Sequence, residues 1–242
     1  MTTFNIAMSE QITRELALVA SKEKAEVLRR FFKTGKGEYG EGDIFIGVTV
    51  PQNRKVALAH APYSNFSTII NLLESPIHEY RLCGLLILVE QYRLAKNEPE
   101  QKKRIVDFYI ANAHMANNWD LVDLSAPKIL GEWLIENPSA GLLDQLSHSD
   151  SMWVQRIAIV STLTLIRHSI FDNTLLIAER YLLHPHHLIH KATGWMLREV
   201  GKKSEATLLY FLDKHSHSMP RTTLRYAIER LSPTLRHHYM TL

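Results

Sequence analysis

Four short stretches of the 242-residue chain begin with a basic residue and continue with small or apolar ones: Arg81-Leu-Cys-Gly84, Arg156-Ile-Ala-Ile159, Lys191-Ala-Thr-Gly194 and Arg225-Tyr-Ala-Ile228. Their separations are 75, 35 and 34 residues. Read as two periods, the first gap puts a missing copy near residue 118 or 119. A period of roughly 34 to 38 residues belongs to solenoids of paired helices, in which each pair buries its apolar face only against its neighbours. The apolar spacing agrees. Leu82, Leu85, Leu86 and Val89, and again Leu224, Ala227, Ile228 and Leu231, follow the i, i+3, i+4, i+7 rule of a helix with one buried stripe. The expectation is an all-α chain.

The punctuation of the chain supports this. Ser9 to Phe32 reads as helical, with Ser21 as an N-cap and Glu23 and Glu26 early in the next segment, where negative charge suits the helix dipole. Gly35, Gly37, Gly40 and Gly42 then exclude a helix. This loop lacks the Gly-Lys-Ser/Thr ending and the βαβ surroundings of a phosphate loop, so a flexible connection is expected. Ile44 to Val50 is a lone β-branched run, which cannot make a sheet, and Pro51 follows where a helix starts. Most later starts involve proline: Ser75-Pro76, Asn137-Pro138, His184-Pro185, Met219-Pro220 and Ser232-Pro233. Residues 1–242 are read as one repeat domain, with N-terminal helices and the glycine-rich loop in 1–50 and stacked helix pairs in 51–242.

Composition excludes several classes. The single cysteine, Cys83, rules out an intrachain disulfide framework and a cysteine-rich zinc site, and suits a reducing cytosol. Glu10, Arg14 and Glu15 interrupt any signal-like run near the start, and no stretch approaches a membrane span, so a cytoplasmic protein is expected. Residues 1–150 carry 16 Lys and Arg against 19 Asp and Glu, and residues 151–242 carry 12 against 6, giving −3 and +6. A basic C-terminal part suits a polyanion. Arg81, Arg156, Lys191 and Arg225 are expected to project as one stripe along a concave face. In the departing copy, Asn117-Asn-Trp-Asp-Leu-Val-Asp123, Trp119 and Asp123 share a helix face at i, i+4. A carboxylate within a phosphate-binding groove weakens binding, which points to a chemical task, with the indole offering a π face to a cation; the alternative reading is a core indole and a solvated carboxylate near a positively polarised helix start.

Asn118-Trp-Asp-Leu-Val-Asp123, together with Phe45-Ile-Gly-Val-Thr-Val-Pro51, Trp153-Val-Gln-Arg-Ile-Ala158, His190-Lys-Ala-Thr-Gly-Trp-Met-Leu-Arg-Glu199 and Met219-Pro-Arg-Thr-Thr-Leu-Arg-Tyr226, resembles the AlkD-like DNA alkylation repair proteins. That resemblance implies a HEAT-like helical-repeat solenoid with a concave basic groove. It implies a monofunctional DNA glycosylase of base excision repair, which cuts the N-glycosidic bond of N3- or N7-alkylated purines in double-stranded DNA. Asp123 would be the catalytic carboxylate, Trp119 and Trp195 the aromatic walls, and Arg156 and Arg198 cations near the backbone; the repeat register, not the resemblance, adds Lys191, Arg81 and Arg225 to the expected DNA-binding residues. A tyrosine contributed from the N-terminal region would be Tyr39 or would have no equivalent. The damaged base would stay in the duplex.

The chemistry is coherent without a metal or cofactor: the alkylated purine is already a cationic leaving group, and the carboxylate need only stabilise an oxocarbenium-like sugar. His184, His186, His187 and His190 contain an i, i+4 pair but no intervening Glu of the metalloprotease type, and read as surface histidines. Trp133 and Trp153 read as core or groove-edge aromatics. The chain is expected to act as a monomer without membrane attachment, nucleoid-associated when bound to DNA. Two other readings stand beside the glycosylase: a DNA-binding relative that recognises distorted or branched duplex without excision, and a helical-repeat protein scaffold.

Overall fold

The computed structural model describes residues 2–242, with side chains described from residue 7 onward except at 140; Met1 lies outside the described residues. The first helices are α1 (Thr2–Leu18), α2 (Lys22–Phe31), α3 (Val50–His60), α4 (Phe66–Leu73), α5 (His78–Leu94), α6 (Pro99–Ala111) and α7 (Trp119–Ala126). They are followed by α8 (Glu132–Glu136), α9 (Ala140–Ser147), α10 (Met152–Arg167), α11 (Asp172–Arg180) and α12 (His187–Lys203). The last are α13 (Glu205–His215), α14 (Arg221–Ala227) and α15 (Pro233–Thr241). Among the described residues no strand forms. The β-branched run at 44–50 contributes a single bridge, in which Ile44 N donates to Pro76 O at 3.1 Å and His78 N donates to Ile44 O at 2.9 Å.

The starts are chemical. Ser21 Oγ accepts from Lys24 N, Asn65 Oδ1 from Thr68 N, Ser204 Oγ from Thr207 N and Ser232 Oγ from Leu235 N, each satisfying an orphan donor of a first turn. Pro233 opens α15 directly, where its missing N–H costs nothing. Pro127 acts differently. It stands four residues after Asp123 and cannot supply the N–H that an α-helix would aim at the Asp123 carbonyl, and the chain widens into a π turn over Pro127–Gly131.

The chain packs as two units, 1–125 and 126–242. In the first, α5 is the central rod: Leu82, Leu85, Leu86, Ile87 and Leu88 are all buried, and α3 and α4 lie on it, with Ile69 and Leu72 of α4 in the same core. In the second, α10 is buried from Arg156 to Ile166, and α12 packs closely on α14. That approach needs a glycine at 194, since a Cβ there would stand 2.5 Å from both Thr223 O and Tyr226 Cβ. Arg81, Trp119, Arg156, Lys191 and Arg225 all fall near the starts of α5, α7, α10, α12 and α14, so the period read from the sequence follows the helices.

Candidate nucleic-acid site

In the first unit, the start of α7 is held by a buried polar cluster. His78, at the start of α5, is 1% exposed and lies between two carboxylates, with Nδ1 3.0 Å from Asp43 Oδ2 and Nε2 2.8 Å from Asp120 Oδ2. Asp43 Oδ1 accepts from Arg81 Nη2 at 2.6 Å, while Arg81 Nη1 donates to Ser75 O at 2.8 Å. Asn118 Nδ2 donates to Asp43 Oδ2 at 3.0 Å, and Asn118 Oδ1 accepts from Trp119 N at 2.8 Å. Burial alone would lower the His78 pKa, but the charge and hydrogen bond of Asp120, joined by those of Asp43, raise it to about 9. Burial alone would raise the Asp43 carboxyl, but the His78 hydrogen bond, the Arg81 charge and the Asn118 hydrogen bond hold it below the usual carboxylate range.

A second buried carboxylate fixes the neighbouring segment. Glu79 Oε1 accepts from the amides of Ile46, Gly47 and Val48 at 3.1, 2.7 and 3.2 Å. Gly47 adopts φ +84° there, and a Cβ would sit 2.0 Å from Ser21 O, so no other residue fits the turn. The segment thereby lays Phe45 on the His78 ring, with centroids 4.5 Å apart and planes 24° apart. Phe32 stacks on Phe45 at 4.9 Å, and Trp119 stacks on Phe32 at 5.0 Å with an interplanar angle of 12°. Phe31 meets the indole edge-on at 5.8 Å. Trp119 is therefore a half-buried indole on an aromatic base, and Asp123, also half-buried, follows it one turn along α7. An apolar cavity of about 390 Å³ lies beside this stack, lined by Phe32, Phe45 and Leu82 and edged by Lys24, His78 and Asp120.

Other expected site residues are placed as follows. Tyr39 is half-buried, and its hydroxyl donates to Phe31 O at 3.4 Å, which ties the glycine-rich loop to the end of α2. In the second unit Lys191 and Arg225 are exposed, Trp195 is half-buried, and Arg198 is half-buried with ion pairs to Glu229 and Glu199. One expectation is corrected. Arg81 and Arg156 do not project with Lys191 and Arg225: each is only 5% exposed, Arg81 is committed to Asp43 and Ser75 O, and Arg156 Nη1 donates to Leu188 O at 2.7 Å. Buried guanidinium groups need such partners, and these two find theirs inside their own units.

Three of the histidines of 184–190, His184, His186 and His190, bond to the backbone. His186 Nδ1 accepts from Leu188 N at 3.2 Å, capping α12, His184 Nδ1 accepts from His186 N at 3.0 Å, and His184 Nε2 lies 2.8 Å from Gln155 Oε1. Among the described residues no group of three or more His, Cys, Asp or Glu is placed to hold a metal ion. Cys83 is fully buried, and that burial pushes its thiol up to about 12. Among the described residues no helix is long and apolar enough to cross a membrane.

The family model for DNA alkylation repair enzymes matches residues 12–231. The chain belongs to that family. A solved structure described as a predicted DNA alkylation repair enzyme from Enterococcus faecalis has a TM-score of 0.69, with 15% identity over 88% of this chain and 97% of that one. At that identity the likeness is one of fold, and it places this DNA alkylation repair family member in an all-α architecture. A search of the curated proteins finds no match.

For a chain of the DNA alkylation repair family, the sequence reading missed the support beneath Trp119. Phe31, Phe32, Asp43, His78 and Asn118 come from four separate segments, so no spacing rule connects them. The one available signal was the adjacency of Asn118 and Asp120 to Trp119, two polar residues at the start of a helix.

Proposed function

We propose that this chain is a DNA glycosylase that hydrolyses the N-glycosidic bond of cationic N3- or N7-alkylated purines in double-stranded DNA. The observation that carries this reading is the Trp119 and Asp123 pair: an indole on an aromatic base and a carboxylate one turn away, in a DNA alkylation repair family chain. When the C1′–N bond of an alkylated purine breaks, its electron pair moves onto the base and neutralises it, so no acid is required. Positive charge then grows on the sugar. Asp123 supplies the counter-charge and accepts a hydrogen bond from the attacking water, whose oxygen bonds to C1′ and whose proton passes to solvent. Trp119 and Trp195 offer aromatic surfaces to the cationic base and sugar, worth ~0.5–2 kcal/mol each.

The exposed Lys191 and Arg225 meet phosphates in this reading, and Arg198 exchanges its surface partner Glu229 for one. Arg156 acts indirectly, by tying α10 to the start of α12, the helix that carries Lys191 and Trp195. Tyr39 holds the loop against Phe31 beside the indole.

The test is single-turnover release of base from a duplex with one 7-methylguanine, by the wild type and by Asp123→Asn. Loss of the counter-charge lowers the rate about a hundredfold, equivalent to roughly 3 kcal/mol, and leaves DNA affinity equal or tighter because an anion facing phosphates is removed. Release by the Asn variant at the wild-type rate overturns the mechanism. Binding without release by the wild type would instead establish a DNA-binding relative that does not excise.

A further inference from the structure

We propose that Asp43, His78, Arg81, Asn118 and Asp120 form a positioning assembly for excision: the His78 imidazolium, gripped by one carboxylate from the glycine-rich loop and one from α7, fixes the first turn of α7 and hence the directions of Trp119 and Asp123. This rests on the roles given above to Trp119 and Asp123. His78 is a positioning residue and touches no substrate.

The geometry is specific to the residues on either side of the indole. Asn118 and Asp120 flank Trp119 in sequence, and both are pinned to the same buried centre, Asn118 through Asp43 at 3.0 Å and Asp120 through His78 at 2.8 Å. On a helix, Asp120 points about 100° away from Trp119, while Asp123 returns to the Trp119 face. Holding 118 and 120 inward therefore sets the outward bearing of 119 and 123. Phe32 adds a lateral stop, since it stacks on Trp119 and also lies 5.0 Å from the His78 ring.

The assembly works only with both imidazole nitrogens donating. A neutral ring has one N–H, which would leave Asp43 or Asp120 without that donor in a place where Asp120 is 6% and His78 1% exposed. The charged groups around the ring are Asp43 from the loop, Asp120 from α7, Arg81 one turn along α5, and Lys24 of α2 at the edge of the adjoining cavity. The Glu79 carboxylate is engaged by the amides of 46–48. Consistent with this charge environment, the ring holds its second proton up to a pH of about 9.

The experiment labels the protein with 5-fluorotryptophan, assigns the Trp119 resonance with Trp119→Phe, and follows it without DNA as pH rises, alongside the His78 imidazole signal. The Trp119 resonance moves with the loss of the His78 proton near pH 9, and single-turnover excision falls over the same interval. His78→Gln, which is neutral at every pH, lowers excision roughly tenfold to a hundredfold, as expected of a small misplacement, and flattens that part of the pH profile while affinity for undamaged duplex is kept. A Trp119 resonance indifferent to His78 titration overturns the proposal, as does unchanged excision in His78→Gln. If the Gln variant does not fold, the wild-type titration decides alone. If the wild type releases no base at any pH, the glycosylase reading falls, and the fluorine resonance still decides whether His78 positions Trp119.

Discussion

Replacing Glu79 with Gln tests how the aromatic base beneath Trp119 is held. The Glu79 carboxylate is 2% exposed; Oε1 accepts from the amides of Ile46, Gly47 and Val48, and Oε2 also accepts from Ile46 N at 3.1 Å. Gln keeps the shape but removes the charge and turns one oxygen into an NH2 group that cannot accept. Hydrogen bonds to a charged group contribute about 1.5–3 kcal/mol and neutral ones about 0.5–1.5, so each of the three amides loses roughly 1 kcal/mol and the variant roughly 3 kcal/mol. Glu79→Ala costs at least as much, because it strands buried donors at about 1–3 kcal/mol each. The assay is urea unfolding, in which the midpoint falls by about 1–3 M for an m-value of about 1–3 kcal/mol/M. Hydrogen exchange at residues 46–48 accelerates in parallel. Excision slows as well, because Phe45 and Phe32 lose their backing. A Gln variant within about 1 kcal/mol of wild type would refute the reasoning, since the three amides would then have adequate partners without the charge.

Three further outcomes are expected. The folded His78 pKa of about 9 lies above its unfolded value of about 6.5, so its stabilisation, about 3 kcal/mol, is complete below pH ~6.5, is lost as pH rises toward 9 and is absent above. Chemical denaturation across that range checks this; stability that rises over the same range contradicts it, and His78→Gln should abolish the slope. Replacing Lys191 and Arg225 with Ala should reduce the salt dependence of duplex binding by up to about two units of slope, measured by titration at several salt concentrations; an unchanged slope removes them from the DNA. Gly194→Ala should cost about 1–3 kcal/mol by forcing α12 from α14, read as a lower melting temperature of the second unit, and a neutral result would mean that the 2.5 Å approach relaxes freely.

What could be read from the sequence was what is local or periodic. Ser21, Pro51 and Pro233 mark helix starts through chemistry that acts within a few residues, and the basic tetrapeptides recur near the starts of α5, α10, α12 and α14. That Trp119 and Asp123 lie one turn apart on the same helix was legible for the same reason, since i, i+4 is a local relation. Exposure was not local. Arg81 and Arg156 occupy the same register as Lys191 and Arg225, yet Asp43, 38 residues before Arg81, and the Leu188 carbonyl, 32 residues after Arg156, draw them inward. That His186 caps α12 was not legible, because capping depends on where that helix begins.

The ion pairs centred on His78 join two carboxylates, Asp43 and Asp120, to two cations, His78 and Arg81, and within that paired set the charges cancel. Any one of the four exchanged alone leaves an interior charge without its opposite, a change that typically costs about 3–5 kcal/mol. A descendant of this chain can therefore part with the His78 cation only by giving up one of the two acids in the same lineage. Position 120 is then tied to position 78 across 42 residues by a bond between side chains.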